Sequence, residues 1–295
     1  MRDLGELSRL ELAARRVRVL MGRAGRLAAW TARPAEWPRP ELGDALGTPH
    51  ELYRRRWPIA RAAGDPRLEE GKRINLALAA PHLDGLVTAP DRPLSFWRAV
   101  PRPSAARGYR LGMELRGGCV VPTAGGGLCL LSNALFAAAA ELGWRILERH
   151  GHTMTAGGAR GGGVELDATV MWPHVDLRVA PRAGRARLEV RASGGVLEVA
   201  VHGDRPRAHL VELSRLAAAE REEVTARGAV RVSAVRRVVR DLASGALVED
   251  SLIAVDRKQV VAAAASRSCL TCDRGDCRAR PAGLVAAPIP GRDRR

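Results

Sequence analysis

The alternation of apolar and polar positions divides the chain into a helical front, a buried centre and a strand-rich back. Leu4, Leu7, Leu10, Ala14, Val17 and Met21 recur at helical spacing, with Arg9, Arg15, Arg16, Arg18 and Arg23 among them. This predicts a basic amphipathic helix, which either docks on the body of the protein or lies on an anionic membrane surface. The stretch from Arg33 to Pro66 is rich in proline and predicts an extended connection with at most a short helix around His50 to Trp57, anchored by Trp37 and Trp57. Asp65-Pro66 is a helix start, with Asp as cap and Pro at the first position, and the helix should run from about Pro66 to Ala80. Leu86 to Thr88 and Leu94 to Trp97 read as small strands or turns.

Next comes Gly125-Gly126-Gly127-Leu128-Cys129, a polyglycine turn leading into an apolar run that ends at Leu142-Gly143. An Ala- and Leu-rich run with apolar residues on all sides predicts a buried helix, and Gly143 its C-terminal cap. Trp144 to Glu148 should be a strand continuing through Arg149 to His152, with His150 and His152 on one face. Leu166 to Trp172 and Val175 to Val179 read as further strands. From Leu188 onward, apolar and charged residues alternate on both sides of Ser193-Gly194-Gly195, which makes a hairpin. Leu210 to Leu213, Val230 to Leu242 and Leu247 to Val255 continue the pattern, with a turn at Ser244-Gly245. The fold class expected is α+β: a buried central helix on an antiparallel sheet, a β-rich C-terminal half open to water on one face, and a helical N-terminal arm. Four segments are expected: an arm and connection over 1–65, a core over 66–185, a hairpin region over 186–265 and a cysteine-containing tail over 266–295.

Composition refines this picture in three places. Hydrophobic residues are 46% of the 295 and aromatics only 3%, so the core must be built from Ala, Val and Leu. The net charge is +16, carried almost wholly by arginine, because Lys72 and Lys258 are the only lysines. No zinc-finger or RNP motif accompanies that charge, and aromatics are not interleaved with basic runs, so nucleic acid is not an expected partner. No apolar run is long enough to span a bilayer and the first 30 residues lack a secretory apolar region. A cytoplasmic location, with peripheral membrane contact through the N-terminal helix, is the expectation.

The five cysteines are Cys119, Cys129, Cys269, Cys272 and Cys277. Cys269, Cys272 and Cys277 form a C-x2-C pair plus a third thiol, which offers three zinc ligands where a structural site takes four. No other cofactor is indicated. Cys129 falls at the start of the central helix, where unpaired N–H groups favour a thiolate. A cysteine in an apolar run is equally well read as a small packed residue. His150, His152 and Asp167 follow downstream, and a cysteine, a histidine and an acid are the parts of a nucleophilic site.

Several ordered motifs resemble the VanW family. They are Gly71-Lys72-Arg73-Ile74-Asn75-Leu76, Leu83-Asp84-Gly85-Leu86, Ser95-Phe96-Trp97, Gly125 to Cys129 with Ser132-Asn133, Glu148 to His152, Asp167-Ala168-Thr169-Val170 and Asp176-Leu177. The family usually carries Gln after the cysteine, where Leu130 stands here, and Pro-Gly where Pro90-Asp91 stands here. The resemblance implies a link to the bacterial cell envelope and antibiotic response, and supplies no reaction. The order cysteine, histidine, aspartate is similar to transglutaminase-like and papain-like enzymes. On that reading Cys129 attacks an amide or ester carbonyl, His152 moves the proton and Asp167 orients the imidazole, with a cell-wall precursor or peptide as substrate. A second reading is a non-enzymatic accessory protein in which Gly125, Gly126, Gly127, Ser132, Asn133 and His150 bind a peptide or sugar. A third has His150, His152 and Cys129 holding a metal.

Overall fold

The structure is a computed structural model that describes residues 9–35, 37, 41–43, 47–60, 65–116, 119–156, 164–225, 228–261, 267–270 and 272. Leu4, Leu7, the glycine-rich stretch 157–163 and Cys277 lie outside the described residues.

Among these residues the helices are α1 (Arg9–Ala32), α2 (Pro66–Ala79), α3 (Phe96–Ala99) and α4 (Cys129–Glu141). The strands of the first half are β1 (Glu41–Leu42), β2 (His50–Pro58), β3 (Leu86–Thr88), β4 (Leu94–Ser95), β5 (Leu111–Arg116), β6 (Cys119–Ala124), β7 (Arg145–Glu148) and β8 (Met154–Ala156). Those of the second are β9 (Arg178–Ala180), β10 (Ala186–Ser193), β11 (Val196–Gly203), β12 (His209–Arg215), β13 (Arg221–Thr225), β14 (Gly228–Asp241), β15 (Leu247–Val261) and β16 (Arg267–Ser268). One sheet runs β1-β3-β10-β11-β2 and a second β12-β14-β15-β8 with β13 beside β14. Two three-stranded sheets run β16-β6-β5 and β4-β9-β7. The class is α+β and β-rich, as the patterning implies, and the pairings are antiparallel except β15 with β8 and β16 with β6. The first sheet draws strands from the expected arm, core and hairpin segments, so it crosses the boundaries drawn at 65 and 185.

The core is organised around α4. Leu131, Ala134, Phe136, Ala139 and Ala140 are each fully buried, which fits a helix apolar on all sides. The helix packs against β2 and β11 on one side and β7, β9 and β12 on others. Burying a side chain such as Leu131 or Phe136 is worth roughly 1.5–3 kcal/mol. At its C-terminus Gly143 has φ +70 and the Trp144 N–H donates to Ala139 O at 2.9 Å, the left-handed cap expected there. At the start of α2 the Asp65 carboxylate accepts from the Arg67 N–H at 2.9 Å, the cap read from Asp-Pro.

Three expectations are corrected. His50–Pro58 is a strand, not a short helix: β2 pairs along β11, and Arg54 is matched by Glu198 of β11 at 2.5 Å and by Glu189 of β10 at 3.2 Å. The strand of β7 stops at Glu148 rather than continuing to His152. Residues 166–172 form no regular strand beyond an isolated bridge of Met171 to Val175. Both stretches are instead held by side-chain hydrogen bonds, which place them over the start of α4. The N-terminal helix forms, but it docks through Arg26 and its neighbours, leaving Leu10, Val17 and Met21 exposed.

Candidate functional site

The site is built where the first turn of α4 meets the segments 149–152 and 165–170. Cys129 is the first residue of α4, and the preceding Leu128 offers no side-chain cap. Leu130, Leu131 and Ser132 N–H groups donate back to Gly127 and Leu128 carbonyls, whereas the Cys129 N–H has no acceptor among the described residues. The half-buried thiol lies 3.5 Å from Thr169 Oγ1.

His152 stands between Cys129 and Asp167. Its Nδ1 is 2.5 Å from Asp167 Oδ1, and its backbone N–H donates to Asp167 Oδ2 at 2.9 Å. With Nδ1 committed to the carboxylate, Nε2 is the nitrogen left for Cys129. Asp167 is buried, and its Oδ2 also receives Lys258 Nζ at 2.7 Å. Lys258 is buried too, and its second partner is Glu165 Oε1 at 2.7 Å. The chain's two lysines are thus both buried. Lys72 donates to the Ile59 carbonyl beneath the glycine turn.

The titration behaviour follows from these contacts. Burial pushes the Cys129 thiol up, but the hydrogen bond and charge of His152, then Thr169 and the Val170 backbone, outweigh it and hold the thiol below its ordinary value. For His152 burial disfavours the cation, and Asp167 and Cys129 more than reverse this, so its pKa is pushed up to about 10. Burial raises Asp167, whereas His152 and Lys258 hold its carboxyl far below the usual range. Each charge of the pair favours the other: the imidazolium lowers the thiol, and the thiolate raises the imidazole.

The frame that holds these groups is specific. Ser132 Oγ donates to Ala168 O at 2.6 Å, and Asn133 Oδ1 accepts from the Ala168 N–H at 2.7 Å. The two side chains expected to bind a ligand therefore clamp the peptide between Asp167 and Thr169 onto α4. Arg149 Nε donates to Asp167 O at 2.6 Å, and its guanidinium forms a bidentate pair with Asp256 at 2.6 Å for both bonds. Gly151 is required here: a Cβ would lie 2.0 Å from Asp256 Oδ1. The glycine turn is equally constrained. Gly126 is packed against Gly112, with a Cβ placed 2.3 Å from its carbonyl, and the Gly126 carbonyl accepts from Asn75 Nδ2 at 3.0 Å. The Gly125 and Gly126 N–H groups are spent on Arg110 and Thr123 carbonyls. The turn thus has a packing reason for its glycines, which also orient Cys129.

His150 does not join the cluster. Its Nε2 lies 3.1 Å from Glu148 Oε1, and Glu148 is paired with Arg26 at 2.6 Å. Of the tail thiols, Cys269 is buried with its N–H on Val120 O at 2.9 Å, Cys272 is half-buried, and Cys277 is outside the described residues. Among the described residues no three His, Cys, Asp or Glu side chains are grouped as a metal ion requires.

The structure brings together Cys129, His152 and Asp167, which the sequence singled out, and adds Thr169, Arg149, Asp256 and Lys258, which it did not. Thr169 and Arg149 lie inside quoted motifs. A usable signal for Lys258 was its rarity, since a chain that otherwise uses arginine keeps two lysines and buries both.

Comparison with known proteins agrees with the motifs. Residues 71–202 match the family described as VanW like protein. Vancomycin B-type resistance protein VanW of Enterococcus faecalis (strain ATCC 700802 / V583) is 32% identical over 117 residues, covering 38% of this chain and 41% of that protein. Uncharacterized protein YoaR of Bacillus subtilis (strain 168) is 32% identical over 104 residues, covering 35% of this chain and 33% of that protein. The chain therefore spans less than half the length of either relative. No solved structure matches the chain. Residues 71–202, which hold Cys129, His152 and Asp167 but end before Asp256 and Lys258, thus form a VanW-like region of the chain.

Proposed function

We propose that Cys129, His152 and Asp167 form a nucleophilic triad that transfers or hydrolyses an acyl group, acting on an amide or ester of a cell-wall precursor or peptide. The observation that carries this is the position of His152, bonded through Nδ1 to buried Asp167 and facing Cys129 with its other nitrogen. Cys129 Sγ attacks the carbonyl carbon, and the C–N or C–O bond to the leaving group then breaks. The imidazolium of His152 gives its proton to the leaving amine or alcohol, and a thioester remains on Cys129. Neutral His152 next takes a proton from water or an acceptor nucleophile, which attacks the thioester carbon; the C–S bond breaks and Cys129 leaves as a thiolate beside the re-formed imidazolium. Asp167 keeps the imidazole in the required tautomer and offsets its charge. The Cys129 N–H, at the positive end of α4, is the donor available to the developing oxyanion. The relative named for vancomycin resistance suggests a setting in the response to glycopeptide antibiotics.

Intact-mass analysis with an activated acyl ester tests the reading. One acyl group should appear on Cys129, be lost on further incubation, and be lost more slowly in His152→Ala. Acylation spread evenly over the cysteines, or absent from Cys129, would remove the enzymatic reading and leave a binding or accessory protein.

A further inference from the structure

We propose that the outward face of α1 is a docking surface for an anionic lipid layer. The second half of the helix is fastened to the body. A Cβ on Gly22 would lie 2.9 Å from the His174 ring, which shows how closely the two pack. Arg26 is bidentate to Glu148 at 2.6 and 2.9 Å and stacks on Trp37 with its guanidinium carbon 4.3 Å from the ring centre. Trp30 lies 5.3 Å beneath the Arg98 guanidinium. These contacts all use one side of the helix.

The opposite side carries the apolar stripe. Leu10, Val17, Leu20, Met21 and Leu27 follow helical spacing and are exposed by 82, 54, 61, 69 and 41%, with exposed alanines between them. A surface helix of a globular protein turns such a stripe inward. Here the stripe runs along most of a 24-residue helix, about 36 Å at 1.5 Å per residue, and points away from the protein.

Charge selects the occupant. Arg16 and Arg18 are exposed on either flank of the stripe, and the helix holds six arginines against the single acid Glu11. A second copy laid on this face would set arginine against arginine. Anionic headgroups would accept those charges while the acyl boundary takes the leucines and Met21, which is the arrangement of a helix lying in the interface plane. Among the described residues no helix is long and apolar enough to cross a membrane, so this surface lies on a bilayer rather than in it.

Flotation of the full chain with vesicles tests the assignment. Wild-type protein should float with vesicles of phosphatidylcholine mixed with phosphatidylglycerol, and not with phosphatidylcholine alone, and should be released by salt. Val17→Asp with Leu20→Asp, and separately Arg16→Glu with Arg18→Glu, should each lower partitioning by about tenfold or more. The positions are exposed, so near-ultraviolet circular dichroism of the Trp30–Trp37 pair should stay unchanged in both variants. No binding, equal binding to both vesicle types, or binding unaffected by either variant would overturn the proposal. So would a wild-type dimer that Val17→Asp with Leu20→Asp dissociates, because the stripe would then belong to a second copy.

Discussion

Lys258→Met isolates the cation beneath the triad. The substitution keeps an apolar stem in a buried place and removes the charge 2.7 Å from Asp167 Oδ2. Lys258 and the His152 imidazolium sit on opposite sides of one carboxylate, on the order of 6 Å apart, and repel by roughly 3 kcal/mol at an effective dielectric of ~20. The His152 side chain is 36% exposed, so solvent screens that repulsion. About 1 kcal/mol should remain, or roughly one pH unit. Removing the cation therefore raises the imidazole pKa further, although it weakens the structure. Asp167 keeps the two His152 bonds and loses its other counter-charge, at about 2 kcal/mol of stability, a fall of roughly 5 °C in Tm. The assay is an NMR titration of the His152 ring proton alongside a thermal melt. A lower melt with an upward titration shift is the expected pair of results. An unchanged or lowered His152 pKa would refute the charge argument and leave Lys258 a packing residue.

Three further substitutions probe the frame. Gly151→Ala places a methyl against Asp256, so it should break the Arg149 pair, destabilise the fold by about 2–4 kcal/mol in urea denaturation and slow Cys129 alkylation. Asn133→Ala leaves the buried Ala168 N–H without its acceptor, and the same denaturation should report a loss of about 1–3 kcal/mol. Asp167 has its pKa lowered by folding, so its stabilising effect is complete above the ordinary value of ~3.9 and is lost as the pH falls toward the folded value. Asp167→Asn should accordingly flatten the acid side of a Tm-against-pH curve, and a curve of unchanged steepness would contradict the assignment.

The parts of the fold that rest on local pattern were legible in the chain. The Asp65 cap, the α4 run closed by Gly143 and the hairpin around Gly194-Gly195 each announce themselves within a few residues. β2 did not, because an edge strand with three consecutive arginines carries no alternation there, and Arg54 finds its charge partners on β10 and β11. The β5–β6 hairpin also went unread. Residues 149–152 read as the continuation of a strand and 166–172 as another, yet side chains hold their backbones instead of a ladder: Ser132, Asn133 and Arg149 bind the 167–168 backbone, and Asp167 binds the His152 N–H. The site divided in the same way. Cys129 was legible from a helix start, whereas Lys258 and Asp256 reach the site only through the long β14–β15 hairpin, a contact no local pattern encodes. The stripe on α1 was legible as amphipathic, and its outward orientation was not.

The Cys129–His152 pair is tested by the rate of iodoacetamide labelling at Cys129 across pH, in wild type and His152→Ala. The thiol should already be reactive at neutral pH, with an apparent pKa well below the ~8.5 of a free cysteine, moving to that value or above it once His152 is gone and burial alone remains. A slow thiol with an ordinary or raised pKa, indifferent to His152, would mean that Cys129 and His152 are not a nucleophilic pair.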